Sequence, residues 1–161
     1  MKYVIYFVIG FGLWLLLTLT TNLDHIIAGV IVVLLGTILF GGYFTDKPQK
    51  LLQPHRLFWL IIYVPVFIWY MIKANLDVAY RTLHPQRPLK PGIVKIKTNL
   101  KSDTGKVFLA NSITLTPGTM TVDIDGDYLY IHWIYVQATD IENASKIIAR
   151  PFERFLRRIF D

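Results

Sequence analysis

The chain has 161 residues, no cysteine, a formal net charge of +6 and a mean hydropathy of +0.43. Without cysteine, disulfides, thiol nucleophiles and thiolate metal sites are excluded. Met1 to about Met71 is overwhelmingly apolar while Arg81 to Asp161 has a soluble makeup, so half the chain is too apolar for a soluble core and points to a membrane protein.

Tyr3 to Leu19 is an unbroken apolar run. It is too long for the core of a signal peptide, and Thr20-Thr21-Asn22 offers no small-residue cleavage pattern, so it reads as a retained first span. After a polar break, Ile26 to Phe44 forms a second, where Ala28, Gly29 and Gly36 would let another helix approach closely. The loop from Thr45 to Arg56 carries Lys47, Lys50 and Arg56, with Pro48 and Pro54 as breakers. Leu57 to Ile72 is a third apolar run, slightly short for the roughly 20 residues a span needs. Trp59, Tyr63, Trp69 and Tyr70 sit towards its ends as interfacial anchors do, and Pro65 should kink it. From Lys73 to Leu83 the pattern turns amphipathic.

Basic residues near the runs test orientation. If all three cross, Lys and Arg are equal at four on each side; if only the first two cross, all eight fall on one side. Charge prefers a hairpin plus an interfacial third segment, while length and aromatics allow a third crossing. Both readings place the C-terminal half in the cytoplasm, where basic residues meet an anionic leaflet. The runs hold no ionisable residue in their interiors, and an ion path needs such groups at depth. Asp24 reads as an N-cap or first-turn acid of the second helix, and Lys73 and Asp77 as a local pair at i, i+4.

His84 to Gly92, with Pro85, Pro88 and Pro91, reads as a stiff linker. Ile93 to Thr98 is a strand with Val94 and Ile96 on one face. Ser102 or Asp103 can cap a helix to about Ile113. Asn111-Ser112-Ile113-Thr114-Leu115-Thr116-Pro117-Gly118-Thr119 then leaves the helix for a sheet. Pro117 pushes Thr116 out of the helical region and Gly118 can take positive φ. Thr119 to Ile124 and Asp127 to Ile134 alternate around Asp125-Gly126, a strong hairpin signal. A two-residue turn there would put Met120, Val122, Ile124, Leu129, Ile131 and Trp133 on one face. Thr139 to Glu142 reads as a capping box. Apolar positions from Ile141 to Ile159 then recur at helical spacing, with Pro151 dividing or kinking the helix. Arg150, Arg154, Arg157 and Arg158 could lie on anionic headgroups or partners, or give a core helix its solvated face. The expected architecture is a membrane α-helical half of two to three spans (runs 3–19, 26–44 and 57–72 within 1–80). A linker at 81–92 leads to a small α+β domain at 93–161, ordered strand-helix-strand-strand-helix.

Chemistry-bearing motifs are sparse. Asp123-Ile-Asp-Gly-Asp opens like a calcium loop, but its glycine is two places early and Ile134 cannot supply the closing carboxylate. His132 has no companion at metal-ligand spacing. Ser112 lacks the glycines of a nucleophile elbow. No phosphate loop or nucleic-acid motif is present. No catalytic, cofactor or metal residues are therefore expected, and the chain does not read as an enzyme.

The Asn111–Thr119 stretch, the Thr-Val-Asp strand after it and Tyr130-Ile-His together resemble the E-type component of the Mrp-type (Mnh or Pha) cation/proton antiporters. Leu13-Trp-Leu-Leu-Leu-Thr, Gly29, Lys73-Ala-Asn-Leu-Asp-Val-Ala and Pro91-Gly-Ile-Val agree in order. The resemblance implies an accessory subunit of a multi-subunit complex in the cell membrane. That complex exchanges cytoplasmic sodium or potassium for protons, and its large subunits, related to respiratory complex I, are the partners. It implies no catalytic residues. Asn111, Ser112, Thr114, Thr116, Pro117, Gly118 and Thr119 are then expected to form a structural or docking motif. The alternative is an independent membrane-anchored module reading anionic lipid through its basic last helix.

Overall fold

A computed structural model describes residues 2–20, 22–42, 53–86 and 88–161. Readings that rest on Met1, Thr21, Tyr43, Phe44, Lys47, Pro48, Lys50 and Arg87 lie outside the described residues. The chain forms two compact units, Met1–Gln53 and Pro54–Asp161.

The first unit is a helix pair, α1 (Lys2–Thr18) and α2 (Leu23–Phe40). Asp24 is the first-turn acid of α2, while Asn22 takes the N-cap position without a side-chain bond. The helices meet where Trp14 lies against Gly29, so tightly that a Cβ on Gly29 would come within 2.5 Å of the indole. The Trp14 indole N–H donates to the His25 carbonyl at 3.0 Å. Small residues allow such backbone approach where hydrophobic sorting gives helices no preference for one another over lipid.

The second unit opens with α3 (Pro54–Leu83), followed by β1 (Gly92–Lys97), α4 (Asp103–Leu115), β2 (Thr119–Asp125), β3 (Tyr128–Trp133), α5 (Ile141–Ile148) and α6 (Arg150–Phe160). After α3 the order is the expected strand, helix, two strands and helix, with the last helix divided at Ala149, so Pro151 sits in the first turn of α6. There its missing N–H costs nothing. α2 and α3 are long and apolar enough to cross a membrane. The three strands form an antiparallel sheet in the order β1-β3-β2. One face, carrying Val94, Ile96, Leu129 and Ile131, packs under α4 and α5. α6 joins these two helices and packs against α3.

Two local expectations are corrected. The hairpin pairs Asp125 with Tyr128, so its loop is Gly126-Asp127, and an irregularity between Thr121 and Asp123 shifts the register again. Gly126 has φ +58° at the first loop position, where a type II′ turn places glycine. Thr119 and Thr121 consequently pair with Trp133 and Ile131 on the helix side, and Met120 and Val122, each 52 % exposed, are left off the core. Contacts with α4 accompany this: the Thr121 hydroxyl donates to the Ala110 carbonyl at 3.0 Å and that of Thr119 to the Ile113 carbonyl at 2.7 Å. The second correction concerns α5: its N-cap is Asp140, whose carboxylate accepts from the Asn143 N–H, in place of the capping box at Thr139. Ser102 caps α4 by accepting from the Gly105 N–H at 3.2 Å.

Candidate docking cleft

The Asn111–Thr119 stretch forms the end of α4 and the turn into β2. Thr116 is the C-cap, extended at φ −86° and ψ 119°, as a residue before proline must be. The Thr119 N–H returns to the Thr116 carbonyl at 3.3 Å. With Pro117 second and Gly118 third at φ +91°, this is the residue pattern of a type II turn. A Cβ on Gly118 would meet Ile134 Cγ2 at 2.9 Å and Val78 Cγ2 at 3.2 Å, so both conformation and space require glycine.

The hydroxyls of the stretch are occupied by backbone. Those of Thr116 and Thr119 both lie 2.7 Å from the Ile113 carbonyl, an oxygen with two lone pairs. Thr114 Oγ1 accepts from the Thr121 N–H at 3.1 Å. Ser112 is buried and donates to the Phe108 carbonyl at 2.6 Å. The Tyr63 hydroxyl, 2.5 Å from Ser112 Oγ, is therefore the donor of that pair. Asn111 is exposed. None of these hydroxyls faces a base or a metal ligand set, and among the described residues no three His, Cys, Asp or Glu side chains converge on a metal position.

The turn does not stand alone. Tyr70, Lys73, Ala74 and Asp77 of α3 lie opposite Thr116, Pro117 and Thr119 across a cleft of about 270 Å³, floored by Trp133, Ile148 and Phe152. The Lys73–Ala79 stretch and the Asn111–Thr119 stretch, both among those that carry the sequence resemblance, thus contribute to one site. Sequence spacing gave no sign of this convergence. Asp77 pairs with Arg81 at 2.8 Å, correcting the expected Lys73–Asp77 pair, and the Arg81 guanidinium stacks on Tyr135, 3.8 Å from the ring centre. The cleft is smaller than most small-molecule sites; its size and mixed lining suit an inserted side chain.

The arginines of α6 lie on its exposed side. Arg158 covers the Trp59 ring at 4.0 Å and Arg154 the Phe155 ring at 4.6 Å. Arg157 borders a hollow with Lys97, Lys101 and Asp161. The other side of α6, Phe152, Phe155, Leu156, Ile159 and Phe160, is core. It also carries buried Glu153, which accepts from the Thr98 hydroxyl at 3.1 Å and from the Asn99 N–H. Acidic groups elsewhere are held below their ordinary range by neighbours: Asp127 by a hydrogen bond from Lys106, Asp140 by the Asn143 backbone N–H, and Glu142 by Lys146.

A helical membrane segment carrying a three-stranded α+β domain, with a proline-glycine joint beside a small cleft, defines the class. The chain matches the family model "MNHE: Na+/H+ ion antiporter subunit" over residues 7–159 and belongs to that family. It is similar to the E component of the Na(+)/H(+) antiporter of Bacillus subtilis, 32% identical over 146 residues, covering 91% of this chain and 88% of the relative. With its namesake from Alkalihalophilus pseudofirmus it shares 38% over 107 residues, 66% of each chain. Among solved structures, a chain of the membrane-bound sulfane sulfur reductase, an archaeal respiratory membrane complex, aligns with a TM-score of 0.86 and 47% identity over 99% of both chains.

Proposed function

We propose that the chain is an accessory subunit of a multi-subunit monovalent cation/proton antiporter. It supports assembly and activity, its α/β domain lies in the cytoplasm, and it carries no ions itself. The observation behind this reading is the cleft between Lys73–Asp77 and Thr116–Thr119. Residues from two of the stretches that carry the sequence resemblance gather there around a joint whose hydroxyls serve backbone, while the only charged or histidine side chains of helices α1 and α2 are Lys2, Asp24 and His25, all in first turns. Translocation requires titratable groups at depth, and the large complex-I-like subunits supply them in this reading. Two spans, α1 and α2, anchor the chain in the cell membrane.

A tagged copy should co-purify with the large membrane subunits, and deleting residues 92–161 should abolish both that recovery and sodium resistance. An active, intact complex lacking this domain would refute the reading. A purified chain that by itself exchanges sodium for protons in liposomes would also refute it. The 47% identity to a chain of the sulfane sulfur reductase, above the 32–38% shared with the two antiporter subunits, favours a second reading. In it the same accessory role is played inside a respiratory membrane complex. Redox subunits in the co-purified set would select that reading.

A further inference from the structure

We infer that α3 lies in the plane of the bilayer surface, its outer stripe seated among the acyl chains of anionic phospholipid and its inner side carrying the α/β domain. Composition alone would let this 30-residue helix cross. The packing argues against it.

One side of α3 is docked on the domain from end to end. Arg56 donates to the Ile159 carbonyl, and Trp59 and Tyr63 lie 6.3 and 6.1 Å from the Phe155 ring. Tyr70 meets Phe152 edge-on at 5.4 Å, and Arg81 reaches the Pro88 carbonyl at 3.2 Å. The opposite side presents Leu57, Ile61, Val64, Ile68, Ile72 and Leu76, all exposed at helical spacing. That stripe runs for roughly 30 Å along the axis. Leu57 and Leu76 at its two ends are 50 % and 67 % exposed. A continuous patch of this length exceeds what water-facing surfaces tolerate and marks a membrane or protein contact.

A crossing would take α6 with it, because α6 packs along α3. Arg154, Arg157 and Arg158 are exposed on α6, and Arg158 sits on Trp59 beside α3. Drawing such charges into hydrocarbon costs several kcal/mol each. In the plane, Arg158, seated on Trp59, and exposed Lys73 of α3 itself lie at headgroup depth, where anionic lipid attracts them. Charge therefore selects lipid over an apolar partner helix as occupant. The inference needs only membrane residence and stands whichever complex the chain serves.

The absence of cysteine permits a direct test. Spin labels would be placed at Ile61→Cys, Ile68→Cys and Leu76→Cys, with Met120→Cys as an aqueous control. Full-length protein would be measured in phosphatidylglycerol-containing bilayers, alone and within its complex, after each variant's melting confirms folding. Ile72→Cys replaces any variant that fails. Oxygen-to-nickel accessibility ratios at the three stripe positions should agree within about twofold and indicate one shallow depth. A ratio that peaks at Ile68 and falls towards both ends would overturn the inference in favour of a crossing helix. Labels inaccessible to oxygen in the assembled complex would overturn it in favour of a protein partner.

Discussion

The Tyr63–Ser112 pair shows how much depends on which atom donates. Ser112 spends its proton on the Phe108 carbonyl, so Tyr63 must supply the proton between the two hydroxyls. Removing Ser112's oxygen strands a buried donor, which costs about 1–3 kcal/mol, whereas Tyr63→Phe leaves an acceptor that still holds one bond and costs about 1 kcal/mol. Thermal unfolding in detergent should therefore rank Ser112→Ala below Tyr63→Phe; the reverse order would mean the proton is placed the other way. Two glycines make a similar contrast. Gly118→Ala combines positive φ with two close contacts and should cost roughly 2–3 kcal/mol, while Gly126→Ala, which meets nothing within 4 Å, should cost about 1 kcal/mol. The Gly118 variant should also lower the yield of assembled complex.

At the level of elements, the helices and several of their ends were legible because their signals are local, although α5 is capped by Asp140 where Thr139 was expected. Ser102, Pro151 and the Pro117-Gly118 turn each act on backbone within a few residues. Ser102→Ala should lower stability by about 1 kcal/mol, read from unfolding midpoints. β2 was not legible in the same way. Its alternation is real, but Thr119 and Thr121 face α4, where their hydroxyls donate to helix carbonyls, contacts with an element that alternation does not see. The same holds for the cleft: Lys73 and Thr116 are 43 positions apart, and no spacing rule joins them. The aromatics of the third apolar run carry a signal with more than one structural source. Trp59, Tyr63 and Tyr70 pack on Phe152 and Phe155, so the periodicity that fits a membrane anchor also fits a docked face. Phe155→Ala should cost roughly 3–5 kcal/mol, since it empties space between two helices at once.

For the whole molecule, the overall division was visible in composition: an apolar helical half followed by a three-stranded α+β domain. Acid should loosen that domain. Asp127, Asp140 and Glu142 have carboxyls held below their ordinary values by Lys106, the Asn143 N–H and Lys146. Folded values below unfolded ones mean that their contribution is complete above the ordinary carboxylate range, near about 4, and is lost as pH falls through it towards the lower folded values. Melting temperature should therefore drop on that acid limb, and Asp140→Asn should flatten part of the drop while leaving the profile above about pH 6 level.

The segment after α3, read from its prolines as a stiff linker, is held by hydrogen bonds at several described residues. Arg81 holds the Pro88 carbonyl, the Lys90 N–H donates to the Ile134 carbonyl, and the Val136 N–H donates to that of Lys90. These bonds tie Pro88 to the end of α3 and Lys90 to the chain just after β3, so the described part of the connection is held at both of its ends.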